Sequence, residues 1–439
     1  MTMKNVALIY PNKFKGGVSC LAMHVLYYHL NKYRDIRCDM YFLENYSQIK
    51  NKDAIIITLQ YENDYFNVVR IVEELRSKNP EAIFIGGGPC SMANPLPLSD
   101  FFDVFVIGEI EGTDIMYRLI NRERDIEGAY FPEYHGRSKE DFKGIKRVYP
   151  KKLNIEDYPV RQFTHPSGAY GKAYLLEIGR GCPRRCKFCM ARGIYYPPRF
   201  RSLEDLIYLV DEGLKYTDAD KVALIAPSVG DYKYIVDLCE YIKERYNIQI
   251  SPSSLRADTV SEELLEVLDI KTLTIAPEAG SERLRDYIGK DISNEDIERA
   301  LEVAKEKGID GVKLYFMVGL PTEEKEDIEE IIDLSKDVKR KFRKVSISIN
   351  PFIPKPCTEF EREPFNMESK VTIKYIEKSL KRYGMQVSYE NFNSMVVQCV
   401  LSRGDASLGN LIKEYNKPNQ LLRCLKKRGL LSKYLGALK

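Results

Sequence analysis

Cys182, Cys186 and Cys189 stand in a C-x3-C-x2-C spacing within Glu-Ile-Gly-Arg-Gly-Cys-Pro-Arg-Arg-Cys-Lys-Phe-Cys-Met, residues 177–190. Arg180 and Gly181 precede the set, and Phe188 stands just ahead of the last thiol. Three thiolates in one short loop can hold three corners of a four-iron cube and leave the fourth iron without a protein ligand from that loop. Ferredoxins close all four corners with cysteine. An open corner therefore points to chemistry rather than electron storage. Zinc is the competing reading, because short cysteine spacings also make zinc sites.

Further chemistry-bearing groups recur where apolar runs end. In the first third, such runs lie at 5–10, 54–58, 82–86 and 104–107, with helical periodicity at 18–31 and 65–77. Strands alternating with helices predict a doubly wound parallel sheet of the Rossmann type. Ligands of such sheets sit beyond the carboxyl ends of the strands. There stand Leu59, Gln60, Tyr61 and Glu62, then Gly86, Gly87, Gly88 and Pro89, then Gly108, Glu109, Ile110, Glu111 and Gly112. Glycine lets a ligand approach the backbone closely. The plainer explanation is that α/β turns need glycine for their own geometry.

Between 129 and 172 periodicity gives way to Pro, Gly, Lys and Tyr, which reads as a linker with a short hairpin. A strand at 173–178 then delivers the cysteine loop. Strands follow at 221–225, 249–251, 272–276, 311–317 and 345–349. Helices are expected at 203–214, 231–246, 262–268, 294–307 and 325–339. Six strand–helix repeats suit a partial (β/α)6 barrel, with function at the strands' carboxyl ends. The loops at those ends carry Ser228 and Asp231, Ser254 and Arg256, Glu278 and Arg283, and Gly319. Such residues also cap helices, which suffices for Ser281 and Thr322. Glu278 and Arg256 come earlier in their loops and read as functional.

The division expected is 1–128, linker 129–172, barrel 173–355 and a small α+β C-terminal region 356–439, in an α/β protein long enough for several cores. Charged residues make up 30% and the net charge is +3. No one-sign field calls for nucleic acid or a membrane. Neither a signal peptide nor an apolar run of transmembrane length occurs. With ten cysteines, this predicts thiols kept reduced in a cytoplasmic, anaerobic setting.

The motifs together resemble a known family. Gly-Arg-Gly-Cys-x3-Cys-x2-Cys, Ala-Pro-Glu-Ala-Gly-Ser-Glu-Arg-Leu-Arg (276–285) and Lys-Leu-Tyr-Phe-Met-Val-Gly-Leu-Pro-Thr-Glu (313–323) follow the glycine-rich N-terminal loops in order. The chain is similar to cobalamin-binding radical S-adenosylmethionine (SAM) proteins. Leu-Gln-Tyr-Glu (59–62), Gly-Gly-Pro-Cys (87–90) and Asp-Phe-Phe-Asp (100–103) resemble one subgroup of them, and the likeness reaches Arg403-Gly404-Asp405.

The resemblance implies a [4Fe-4S] cluster on Cys182, Cys186 and Cys189, its free iron chelating SAM. Ser228, Asp231, Ser254, Arg256, Glu278, Arg283 and Gly319 are then expected to receive SAM's carboxylate, hydroxyls and adenine. Leu59, Gln60, Tyr61, Gly86, Gly87, Gly88, Gly108 and Glu109 are expected to face cobalamin. No Asp-x-His-x-x-Gly occurs, so the resemblance implies cobalt without a lower histidine ligand; His24 and His29 read as ordinary helix residues.

The implied reaction is hydrogen abstraction from an unactivated carbon, followed by methylation from methylcobalamin. The expected substrate is a peptide or protein segment, extending to a glutamine of methyl-coenzyme M reductase in a methanogen. A ferredoxin or flavodoxin is the expected electron donor, and the chain is expected to be a monomer. The alternative is a rearrangement, cyclisation or sulfur insertion with cobalamin bound. No general acid or base is singled out. Cys357, Tyr195 and Tyr196 are candidates for the open iron only by neighbourhood, and a lone cysteine is usually inert. The Lys-rich C-terminal end reads as a solvated face.

Overall fold

Ala-Ile-Ile-Ile-Thr at 54–58 is buried at every position, as a central strand covered on both faces must be. It is β3 of a six-stranded sheet with β1 (Lys4–Ile9), β2 (Ile36–Tyr41), β4 (Ile83–Gly87), β5 (Val104–Val106) and β6 (Ala129–Tyr130). The order is β2-β1-β3-β4-β5-β6. The first five strands are parallel and β6 is an antiparallel edge. The direction of strand order reverses between β1 and β3, and there a doubly wound sheet opens its ligand crevice. On one face, helices Leu21–Asn31 and Ile115–Ile120 bury Met23, Leu30, Met116 and Leu119 with Val6, Leu8, Ile56, Ile85 and Val104.

The computed structural model describes residues 2–252, 255–268 and 270–438. It divides into two units: unit 1 is Met1–Leu175, Asp211–Ala219 and Val400–Tyr434, and unit 2 is Leu176–Val210, Asp220–Cys399 and Leu435–Lys439. The six-stranded sheet lies in unit 1. The segment 129–172 carries more order than a linker, including short helices Pro132–His135 and Lys139–Lys143. Residues 400–434 return to this unit. Helix Leu408–Glu414 packs on helix Tyr65–Lys78, and the Asn94 amide donates to the carbonyls of Ser402 (3.0 Å) and Gly404 (2.8 Å).

β7 (Ala173–Glu177) leads into unit 2, where a two-residue hairpin pairs β8 (Gly179–Arg180) with β9 (Arg199–Phe200). The remaining strands are β10 (Lys221–Ile225), β11 (Gln249–Pro252), β12 (Thr272–Glu278), β13 (Gly311–Val318), β14 (Lys344–Pro351) and β15 (Gln386–Ser388). They form sheets β11-β10-β7 and β12-β13-β14-β15, linked by a parallel bridge from Leu255 to Ile275. From β7 through β10 to β14 the strands stand in chain order, as in the open (β/α)6 barrel expected. Alternation along β13 and β14 puts Val312, Leu314, Phe316 and Val345, Ile347, Ile349 inside. Helix Asn294–Glu306 opens with a capping box from Ser293 and Asp296. Among the described residues, no helix is long and apolar enough to cross a membrane.

Candidate functional site

The cysteine loop leaves the end of β7, and its neighbours are specified by close packing. Gly181 has φ +79°, and a Cβ there would lie 2.5 Å from the Tyr195 carbonyl oxygen and 2.7 Å from that of Pro197. Only glycine fits, which accounts for the Gly before the first cysteine. Buried Glu177 accepts from Arg180 (2.8 and 3.1 Å) and Arg201 (3.2 Å), tying the hairpin to the end of β7. Phe188 packs against a small core of Ala279, Leu284, Ile288, Leu320, Phe352 and Phe360.

Two other segments seat the loop. The Lys187 amide donates to the Ile288 carbonyl (2.9 Å), and the Phe360 amide donates to that of Lys187 (3.2 Å). A Cβ on Gly289 would meet the Arg185 carbonyl oxygen at 2.6 Å and Cys186 Cα at 3.7 Å. Cys357, exposed and at φ +62°, lies against the helix that follows Cys189. A Cβ on Gly193 would stand 1.8 Å from its carbonyl oxygen.

Arg184, between the first two cysteines, is the hub of a charge network. Its guanidinium donates to both Asp231 oxygens (2.9 Å from Nε) and pairs with Asp258 at 2.9 Å. Asp258 also accepts from Arg256 (2.9 and 3.2 Å), and Arg256 donates onward to the Lys290 carbonyl at 2.7 Å. Burial alone would push the Asp231 carboxyl up, but the Arg184 bonds, with neighbouring Ser228 and the charge of Arg256, outweigh it and hold Asp231 below the usual range. Burial raises the Cys182 and Cys186 thiols, with Lys290 and Arg256 pulling Cys186 the other way.

Glu278 sits at a bulge in β12 with φ +72°, a conformation non-glycine residues hold only when the surroundings enforce it. Lys290 pairs with its carboxylate at 3.1 Å. Ser228 is buried beside Asp231, and among the described residues its hydroxyl makes no hydrogen bond of good geometry. Arg283 donates to Asp327 and to the Thr322 carbonyl (3.1 Å), while Ser281 caps the helix Glu282–Tyr287. Gly319 has φ +78°; its amide donates to Glu323 at 2.6 Å, and burial lifts that carboxyl to about 7. Ser254 lies outside the described residues.

These residues fit the groups implied. The three thiols lie close enough to act on one another's charge, and Arg256 and Lys290 offset the negative charge of a thiolate-bound cluster. Among the described residues, no three His, Cys, Asp or Glu side chains converge tightly enough to hold a single metal ion. A cluster that offers each thiol its own iron does not require that. The Ser228 hydroxyl, with no well-formed bond among the described residues, supplies a hydrogen-bonding group of the kind SAM's polar groups need.

In unit 1, two of the three predicted loops, 59–62 and 86–89, come together at the carboxyl ends of β3 and β4, while the third, from Gly108, packs on Val148. The Leu59 amide donates to the Gly87 carbonyl (2.6 Å), and the Leu59 carbonyl accepts from Cys90 (3.1 Å). A Cβ on Gly88 (φ +114°) would meet the Leu59 oxygen at 2.9 Å and the Gln60 amide nitrogen at 3.3 Å. Gly86 is required by the Phe105 ring and Gly108 by the Val148 backbone, 2.7 and 2.1 Å from a Cβ. Gly87, whose Cβ would meet only Val106 at 3.9 Å among the described residues, and exposed Tyr61 leave an edge open to a ligand. Glu109 is buried, its amide donating to Val148 (2.9 Å). Nearby Asp64 accepts from Asn12 at 2.7 Å, and burial raises its carboxyl to about 6.

Arg184, Asp258, Lys290 and Glu323 belong to this machinery although the sequence reading did not select them. An arginine between two cluster cysteines was the available signal for the first. Lys290 gave none.

Comparison with known proteins follows the same division. The model of the "Radical SAM superfamily" matches residues 176–335, and that of "Radical SAM proteins, N-terminal" matches 27–122. An uncharacterized protein of Methanocaldococcus jannaschii, MJ0966, is 61% identical over 434 residues, covering 99% of this chain and 96% of that one. The radical SAM methyltransferase TsrM from Kitasatospora setae, solved with cobalamin and a [4Fe-4S] cluster, superposes with TM-score 0.61 at 15% identity. That match covers 79% of this chain and 72% of TsrM. The cobalamin-dependent SAM radical enzyme OxsB gives 0.57 at 16% identity over 87% and 56%. With the cysteine loop at the end of β7 and the open (β/α)6 sheet behind it, the chain belongs to the radical SAM superfamily.

Proposed function

We propose that this protein is a cobalamin-dependent radical SAM methyltransferase that acts on an unactivated carbon. The observation that carries the reading is the pairing, in one chain, of a β2-β1-β3-β4-β5 sheet whose β3 and β4 ends leave Gly87 and Tyr61 open with a radical SAM unit. The same fold is found in TsrM, whose structure holds cobalamin and a cluster. When bound, the cluster and SAM supply a 5′-deoxyadenosyl radical, and cobalamin supplies the methyl group.

The chain's own residues bind and orient. Cys182, Cys186 and Cys189 hold three irons. Arg184, locked to Asp231 and Asp258, fixes the loop that presents them. Ser228 and Glu278 receive SAM's polar groups, and the Gly319 turn, closed by Glu323, receives the adenine. Orientation at near-contact distance is most of what a protein adds to cofactor chemistry. The Leu59–Tyr61 and Gly86–Gly88 segments receive cobalamin. A peptide segment is the proposed substrate, a glutamine in methyl-coenzyme M reductase the first to try, with a ferredoxin or flavodoxin as donor in the cytoplasm.

The test is anaerobic reconstitution with iron, sulfide and cobalamin, then SAM and a low-potential reductant, with and without glutamine peptides. Mass spectrometry expects both 5′-deoxyadenosine and S-adenosylhomocysteine, and a peptide heavier by one methyl. Deoxyadenosine with no S-adenosylhomocysteine under any condition would overturn methyl transfer in favour of rearrangement.

A further inference from the structure

The segment Ile288–Lys290 lies about a hundred residues after the cluster cysteines, yet it forms their seat. Lys187 donates to the Ile288 carbonyl, and Gly289 faces the Arg185–Cys186 backbone so closely that a Cβ would stand 3.7 Å from Cys186 Cα. The next residue, Lys290, is buried to 7% exposure. Its ammonium meets the Glu278 carboxylate at 3.1 Å, and its carbonyl accepts from Arg256 at 2.7 Å. A cation is costly to bury unless its charge is used. Here the partner, Glu278, is held in a strained left-handed conformation at the end of β12. One side chain thus joins the cluster seat to the Glu278 loop.

We propose that Lys290 is a positioning residue with two duties: its charge stabilises the reduced, more negative cluster, and its ion pair holds Glu278 in the orientation that receives SAM. The second duty rests on the reading of Glu278 as a SAM contact; the first does not. An external low-potential donor supplies the single electron that reduces the cluster. The Lys290 ammonium then shifts that equilibrium without itself changing charge. Glu278 opposes it, so the pair is neutral, and removing either member changes the local charge by one unit.

The experiment is a mediated redox titration of the reconstituted full chain, without SAM, followed by the electron paramagnetic resonance of the reduced cluster. Lys290→Met is expected to lower the reduced-to-oxidised ratio at fixed potential by about tenfold, a shift of about −59 mV for one electron. Glu278→Gln should raise it by a similar factor. The double variant Lys290→Met with Glu278→Gln, and Lys290→Arg alone, should each fall within about threefold of the wild type.

A Lys290→Met protein that holds its irons at the wild-type potential overturns the proposal, as does a double variant as low as Lys290→Met. If Lys290→Met fails to hold a cluster, Glu278→Gln decides: an unmoved potential overturns the proposal. SAM binding to the oxidised cluster, measured by equilibrium dialysis, separates the two duties. A Glu278→Gln protein with shifted potential but unchanged SAM affinity would remove Glu278 from the SAM site and leave the charge role standing.

Discussion

Replacing Arg184 with methionine isolates the contribution of the charge network to the cluster loop. The Arg184 side chain is 31% exposed, Asp231 11% and Asp258 16%. The pairs therefore lie between the surface case, worth about 0.2–1 kcal/mol, and the buried case, where removing one partner costs about 3–5 kcal/mol. Asp258 keeps Arg256 at 2.9 and 3.2 Å, so Asp231 is the partner that loses its hydrogen-bonded cation. The expected loss for unit 2 is about 2–3 kcal/mol at pH 7, the range of a stranded charge-assisted hydrogen bond.

The pH dependence gives the sign. In the wild type, burial raises the Asp231 carboxyl and Arg184, with Ser228 and the charge of Arg256, more than reverses that. Its contribution is present above the unfolded value near 4 and is lost as pH falls through the lower folded value. Without Arg184, burial is opposed only by Ser228 and the charge of Arg256 and the folded value rises, so the variant is penalised above about pH 4 and relieved below it. Urea unfolding followed by circular dichroism, at pH 7 and at pH 4, should show the deficit narrowing at the lower pH. Iron bound after reconstitution should fall below the wild-type stoichiometry. A deficit under about 0.5 kcal/mol at pH 7, or one unchanged at pH 4, refutes the reasoning.

Glu323 gives the opposite pH signature. Its carboxyl, lifted by burial from 4.5 to about 7, contributes stability that is fully present below 4.5 and lost as pH rises through 7. The cost well above pH 7 is about 3–4 kcal/mol. Glu323→Gln keeps an acceptor for the Gly319 amide and should flatten that slope, as denaturant midpoints at pH 5 and pH 8 would measure. Asn94→Ala removes two buried bonds to the Ser402 and Gly404 carbonyls. It should cost about 2 kcal/mol and raise amide hydrogen exchange in residues 400–434, leaving exchange in 182–189 unchanged.

The sequence was most legible where local chemistry leaves few alternatives. The runs at 54–58, 221–225 and 262–268 coincide with their elements, because short apolar runs and amphipathic periods leave little choice of boundary. The hairpin Gly179–Arg180 with Arg199–Phe200 went unread, since two residues carry no period. The helix Glu282–Tyr287 was hidden inside the Glu278 loop, signalled only by the Ser281 cap. The helix expected from Val18 starts at Leu21, after a separate turn at Phe14–Gly17.

The site followed the same rule. Glu278 and Arg256 stood out by their early places in the loops after strands. By contrast, the long-range pairing of Lys290 with the cluster seat depends on barrel packing that no local pattern encodes. Gly86 and Gly108 show the converse: their glycines answer to Phe105 and Val148, contacts set by the sheet.

The central claim is a cluster on three thiols whose remaining iron takes SAM. Its most direct test is the electron paramagnetic resonance of the reduced, reconstituted protein before and after SAM, alongside metal analysis. About four irons per chain are expected, as the cluster type requires, with a spectrum that changes on adding SAM, and loss of both when Cys182, Cys186 and Cys189 are replaced by alanine. A chain that takes up zinc in place of iron, or a four-iron cluster whose spectrum SAM leaves untouched, would contradict it.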